Sequence, residues 1–331
     1  MKKQTISMVM AAIAITAGAV SCNKKEAMPA AENAGEKTEM TVNVDCGQFT
    51  KAGIVAENEK KVNNVQIFVF RKDGELDAYA SSETSSGIKI SCTTGEKDIV
   101  AIVNAPDLKS YSTRADLLTA KSLLADNSLE NFVMTGEKTD QTISAEEVVT
   151  IEVKRLVARV AVNKITPNFT SPAYRNMEFK VVRIYAVNVV GDLCYGGEPT
   201  LWHNQMKYTA GETDALIYDD IEDTAMTPAK PYSGSRAFYV YPNRTETDSQ
   251  SNTFGPRYTR LVIETTLGGK TYYYPVSIKG IERNKTYNIT DLTITRPGSL
   301  SPDVPVTAYE CTFGITVVEE WQEGADFEYE I

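Results

Sequence analysis

The chain has 331 residues, 42% of them hydrophobic, enough to bury more core than one small domain needs. It carries 44 acidic against 34 basic residues, a formal net charge of −10. That balance argues against a nucleic-acid partner and against electrostatic binding to an anionic lipid surface.

The first 21 residues read as a targeting segment. Lys2-Lys3 form a basic start and Ile6 to Val20 an apolar run too short for an ordinary membrane span. Ala19-Val20-Ser21 then places small residues before Cys22, which looks like a bacterial lipobox with cleavage before Cys22 and lipid on its sulfur and new amino group. The alternative is an ordinary secretory signal with an incidental cysteine. Residues 22–38 are polar, rich in small residues and aperiodic, and read as a flexible tether.

The first strand follows. Met40, Val42, Val44 and Cys46 alternate with Thr41, Asn43 and Asp45, giving one apolar and one polar face. It runs into a small-residue stretch that carries Lys51 before Ala52, a bond open to a protease specific for basic residues. Val65 to Phe70 is apolar on both faces and predicts a central strand. Asp73-Gly74 marks a hairpin, and Leu76 to Tyr79 begins the return strand. Ile88, Ile90 and Cys92 alternate, Gly95 to Lys97 reads as a turn, and Ile99 to Val103 as a strand. Thr113 with Asp116 predicts a capped helix carrying Leu117, Leu118, Leu123 and Leu124 and ending at Asn127.

Val149, Ile151 and Val153 share one parity, whereas Leu156, Ala158, Val160 and Val162 have the other. A strand that changes parity turns its apolar set to the opposite face, so Lys154-Arg155 is expected to be where the chain leaves one core and enters another. A domain boundary is placed near residue 165. Beyond it, strands are expected at Phe179–Val190, Ala237–Tyr241, Tyr258–Thr266, Thr271–Ile278 and Tyr287–Thr295, with Gly268-Gly269 as a hairpin and 191–235 mostly loop. Cys311, Phe313, Ile315 and Val317 alternate, and so do Phe327, Tyr329 and Ile331 at the end of the chain. The expected class is mainly β: two β-sandwich domains in tandem, 39–165 and 166–331, with one short helix in the first.

Catalytic signals are weak. The single histidine, His203, reads as a loop residue beside Trp202 and permits neither a His-based triad nor a multi-histidine metal site. Tyr218 to Asp223 lacks the ligand spacing of a calcium loop, and Tyr272 to Tyr274 reads as packing rather than a glycan platform. Cys46, Cys92, Cys194 and Cys311 are scattered with no CxxC pair, and Cys46, Cys92 and Cys311, each in alternating apolar sequence, read as buried free thiols. No catalytic residue, metal or cofactor is expected.

Several stretches together resemble the FimA/Mfa fimbrillins, the pilus subunits of Bacteroidales. The strongest is Gly269 to Thr295, GKTYYYPVSIKGIERNKTYNITDLTIT, continued by Arg296-Pro297-Gly298. Lys154 to Val160, Phe132 to Thr135, Phe238 to Val240 and Cys311 to Trp321 add to it. The resemblance implies transthyretin-like sandwiches and a lipoprotein precursor held at the outer membrane. It implies a trypsin-like protease that cuts at Lys51–Ala52, removing residues 39–51 with the strand of Met40, Val42, Val44 and Cys46. The opened groove would take the C-terminal strand of a neighbouring subunit, here Phe327, Tyr329 and Ile331, building an adhesive surface fimbrium. The alternatives are an anchor, accessory or tip subunit that retains its lipid, and a glycan-binding surface lipoprotein.

Overall fold

The computed structural model describes residues 35–47, 57–197, 204–206, 216–221, 225–234, 236–248, 256–304 and 311–318. The first strand, β1, spans Lys37–Asp45. After it come β2 (Val65–Arg71), β3 (Leu76–Ser82), β4 (Ile88–Thr93) and β5 (Gly95–Val103). A helix, α1 (Arg114–Thr119), precedes β6 (Lys121–Leu123), β7 (Met134–Ile143), β8 (Val148–Glu152) and β9 (Lys154–Arg155). Apart from β6, these strands form a three-stranded sheet in the order β4-β1-β8 and a five-stranded sheet in the order β3-β2-β5-β7-β9. β2 is apolar on both faces because each face of its sheet meets a core, Val65, Ile67 and Val69 on one side and Phe68 and Phe70 on the other.

One core packs between these two sheets. Met40, Val42 and Val44 of β1 meet Ile88 and Ile90 of β4, Val149 and Ile151 of β8, and Val65, Ile67, Ile99 and Ala101 of the larger sheet. The opposite face of the larger sheet, Phe68, Phe70, Val100 and Ile102, belongs to a second core. The parity change divides the chain between them: Val149, Ile151 and Val153 lie in the first core, and Leu156, Ala158, Val160 and Val162 in the second.

Two local expectations are corrected. Thr113 does cap α1, its hydroxyl accepting from the Asp116 amide at 3.1 Å. The helix stops at Thr119, however, because residues 121–123 form β6 and pair with 192–194 instead. Leu123 is thereby exposed and Leu124 buried, so the two leucines do not share a helical stripe. Gly95 to Lys97 is also no turn. It is the start of β5, paired with residues 141–143 of β7. Lys97 is buried there, its ammonium 3.2 Å from the buried Asp77 carboxylate of β3, with the Thr93 hydroxyl between them.

The later strands are β10 (Ala158–Val162) and β11 (Ile165–Pro167), followed by a second short helix, α2 (Pro172–Arg175). Then come β12 (Phe179–Val187), β13 (Val189–Val190), β14 (Asp192–Cys194), β15 (Asn204–Met206), β16 (Tyr218–Asp220) and β17 (Ala225–Met226). The last are β18 (Arg236–Val240), β19 (Thr259–Leu267), β20 (Lys270–Ile278), β21 (Thr286–Ile294) and β22 (Cys311–Val318). One sheet runs β11-β21-β10-β18 with β22 also on β21; the other runs β16-β12-β19-β20 with β17 also on β12. β10 and then β11 pair in parallel with successive halves of β21, which bulges at Asp291 (φ 43°). β19 and β20 close through Gly268-Gly269, both at positive φ, the two-residue hairpin that the sequence indicates.

Candidate functional site: a central strand and the polar hub beside it

β1 is held inside its sheet, not at the edge. Residues 37–42 pair antiparallel with β4, and residues 41–45 pair in parallel with β8. Met40, Val42 and Val44 are buried, and each such side chain contributes roughly 1.5–3 kcal/mol. β4 and β8 do not pair with each other, so β1 alone joins them into a sheet. Cys46 at its downstream end is half-buried; burial raises its thiol pKa, against the pull of the nearby Arg155 guanidinium.

Further along the chain lies a 3₁₀ turn, Glu57–Lys60. Glu59 in this turn is 2% exposed, unusual for a carboxylate. The Tyr239 hydroxyl of β18 donates to its Oε1, and the Arg159 Nε of β10 lies 3.5 Å away. Arg155 Nη2 donates to the Glu59 carbonyl oxygen at 2.7 Å. Phe132 packs on Tyr239, ring centroids 4.6 Å apart. Burial raises the Glu59 pKa, opposed by the Tyr239 hydrogen bond and then by Arg159 and Arg155. Burial likewise depresses Arg155 to about 10, against the pull of Glu59 and Cys46. Arg155 thus faces both the end of β1 and the Glu57–Lys60 turn.

The Ile281-Glu282-Arg283-Asn284 stretch, part of the strongest fimbrillin-like signature, reaches this hub from the other side. Arg283 donates to Thr135 Oγ1 at 3.1 Å, to the Thr135 carbonyl at 3.0 Å and to the Lys154 carbonyl at 3.2 Å. Asn284 Oδ1 accepts from the Arg155 amide at 3.2 Å, and the Asn284 amide donates to the Val157 carbonyl at 2.9 Å. These residues tie the turn before β21 to β7 and β9, which is why that loop needs an arginine and an asparagine in sequence.

Of the sequence-derived site residues, Met40, Val42 and Val44 lie on β1 with their side chains in one core, and Cys46 follows one residue past its end, partly buried against that core. Cys22, Lys51, Ala52, Phe327, Tyr329 and Ile331 lie outside the described residues, as do Trp202 and His203. Asp219 pairs with Arg236, and the Tyr218 hydroxyl donates to Asp220, so this part of the acidic run is engaged within the protein. Tyr274 is buried and donates to the Arg296 carbonyl at 2.8 Å. Cys46, Cys92 and Cys194 are free thiols, and among the described residues no cluster of three potential ligands could hold a metal ion. Sequence reasoning missed Glu59 and Arg159, because a charged residue in a polar stretch or a strand gives no sign of burial.

Residues 37–165 match the family model described as major fimbrial subunit protein (FimA), and the chain resembles the FimA-type fimbrillins over nearly its whole length. It is 23% identical to the major fimbrium subunit FimA type-2 of Porphyromonas gingivalis, over 94% of this chain and 95% of that protein. The structure of a cell adhesion protein from Bacteroides eggerthii superposes with a TM-score of 0.65 at 19% identity, covering 88% of this chain and 98% of that one. A fimbrilin (FimA) from Porphyromonas gingivalis gives 0.61 at 17%, covering 86% and 97%. These likenesses show that the chain has the fold of fimbrial subunits.

Proposed function

We propose that this chain is a stalk-type subunit that polymerises by exchange of its first strand. It is made as a precursor lipidated at Cys22 and held at the outer membrane, and a trypsin-like protease matures it by cutting at Lys51–Ala52. Residues 39–51 leave, and the terminal strand of a neighbouring subunit, with Phe327, Tyr329 and Ile331 inward, takes the vacated place. The supporting observation is the position of β1, the sole link between β4 and β8 and immediately upstream of the stretch that carries Lys51. Its loss uncovers the Met40, Val42 and Val44 sites together with two rows of unpaired backbone groups, an acceptor for β-strand addition. A contact that joins one subunit's tail to another's groove is head-to-tail and generates a filament. Two tandem domains meeting near residue 165 are part of this proposal.

N-terminal sequencing of assembled filaments tests the maturation step. The expected first residue is Ala52, and filaments whose subunits begin at Cys22 would refute the cut. Deleting residues 327–331 is expected to leave folded, cleavable monomers that form no filaments; unchanged filaments would remove the donor role.

A further inference from the structure

Once β1 departs, something must keep the new chain start from fraying into the same groove. Chain ends commonly fray unless tied down. The segment 59–64 has little regular structure, yet several side-chain hydrogen bonds hold it. Glu59 is held by Tyr239, Arg159 and, through its carbonyl, Arg155. Asn104, 1% exposed at the end of β5 and in the left-handed region (φ 59°), holds the residues just beyond. Its Oδ1 accepts from the Asn63 amide at 2.7 Å, and its Nδ2 donates to the Lys61 carbonyl at 2.8 Å and the Phe132 carbonyl at 3.1 Å. Asn63 Nδ2 donates in turn to the Glu130 carbonyl at 2.9 Å and to Asn131 Oδ1 at 2.8 Å. None of these partners lies on β1, so removing β1 breaks none of these bonds.

We infer that Glu59 and Asn104 form an anchor that ties down the start of the processed chain when β1 is released, with residue 59 as its first fixed point. The inference rests on the maturation proposed above. Charged and hydrogen-bonded buried contacts of this kind are costly to break, because each leaves a desolvated group without its partner. Glu59, Asn104 and Tyr239 are positioning residues: they keep the downstream chain out of the groove and leave it to the incoming strand.

Lys60 and Lys61 follow Glu59 directly and are exposed at their side chains, which supplies the test. Full-length protein and its Glu59→Ala, Asn104→Ala, double and Tyr239→Phe variants are digested with trypsin, and the new N-termini are read by mass spectrometry over time. The wild type is expected to stop at Ala52. Glu59→Ala is expected to be trimmed on to Lys61 or Val62 about tenfold faster or more, the double variant faster still, and Tyr239→Phe to fall between wild type and Glu59→Ala. Hydrogen exchange at residues 59–64 of the uncut proteins is expected to follow the same order, with exchange in β12 and β19 unchanged, which separates a lost anchor from general unfolding. Equal trimming and equal exchange in all five proteins would overturn the anchor. Filament assembly is scored separately: protected ends without filaments would support the anchor and count against strand exchange.

Discussion

Asp77→Ala is expected to destabilise the chain by about 3–5 kcal/mol, read as a lower urea midpoint of the uncut protein. The physical reason is the Lys97 ammonium, whose side chain is 4% exposed while that of Asp77 is 6% exposed. Removing the carboxylate leaves a cation in the protein interior together with a Thr93 amide that had donated to Asp77 at 2.8 Å. The double change Asp77→Leu with Lys97→Met should recover most of the loss, because an apolar pair of similar size requires no charge to be desolvated. Acid should narrow the difference between wild type and Asp77→Ala. Burial pushes the Asp77 carboxyl up, but the Thr93 amide and hydroxyl and the Lys97 ammonium outweigh it and hold its pKa below the ordinary value. Stability from a depressed carboxyl is complete above the unfolded-state pKa, near ~3.9, and is lost as pH falls through the lower folded-state value. An Asp77→Ala deficit that stayed constant down to the acid transition would show that the ion pair is not its source.

Met40→Ala is expected to separate precursor from filament. Met40 is fully buried at the centre of β1, and truncating such a side chain costs about 2–5 kcal/mol. Urea unfolding of the uncut precursor should register that loss. Filaments assembled from the same variant should unfold like wild type, because on the proposed maturation their subunits begin after β1. Equal destabilisation of precursor and filament would mean that β1 stays in place and would exclude strand exchange. Since the substitution lies upstream of Lys51, it leaves the sequence of the mature subunit untouched.

Much of this framework is legible in the chain itself, and what is hidden has a common cause. The alternation of Met40, Val42 and Val44 announces a half-buried strand, and the parity reversal around Lys154-Arg155 announces two cores, because both follow from the two-residue period of a strand. Leu123 misleads because its partner strand, β14, lies in residues 192–194, and pairing across that distance overrides a local helical pattern. Lys97 and Glu59 mislead in the same manner. Each is a charged residue in a polar stretch, and its burial depends on groups supplied from elsewhere: for Glu59, Arg155 and Tyr239, which are 96 and 180 residues away. The fimbrillin-like signature around Ile281–Asn284 is legible as a pattern but not as a mechanism. Only the fold shows Arg283 and Asn284 gripping β7 and β9.

The place of β1 between one antiparallel and one parallel neighbour also bears on polarity. A strand laid there in the direction of β1 forms an antiparallel ladder with β4 and a parallel one with β8. A strand laid the opposite way merely exchanges the two. Backbone hydrogen bonding therefore offers the same pair of ladder types in both directions and cannot tell the head of an incoming segment from its tail. Directionality has to come from the side chains: which residues, two apart, fill the sites of Met40, Val42 and Val44, and at which end of the groove the incoming chain must leave.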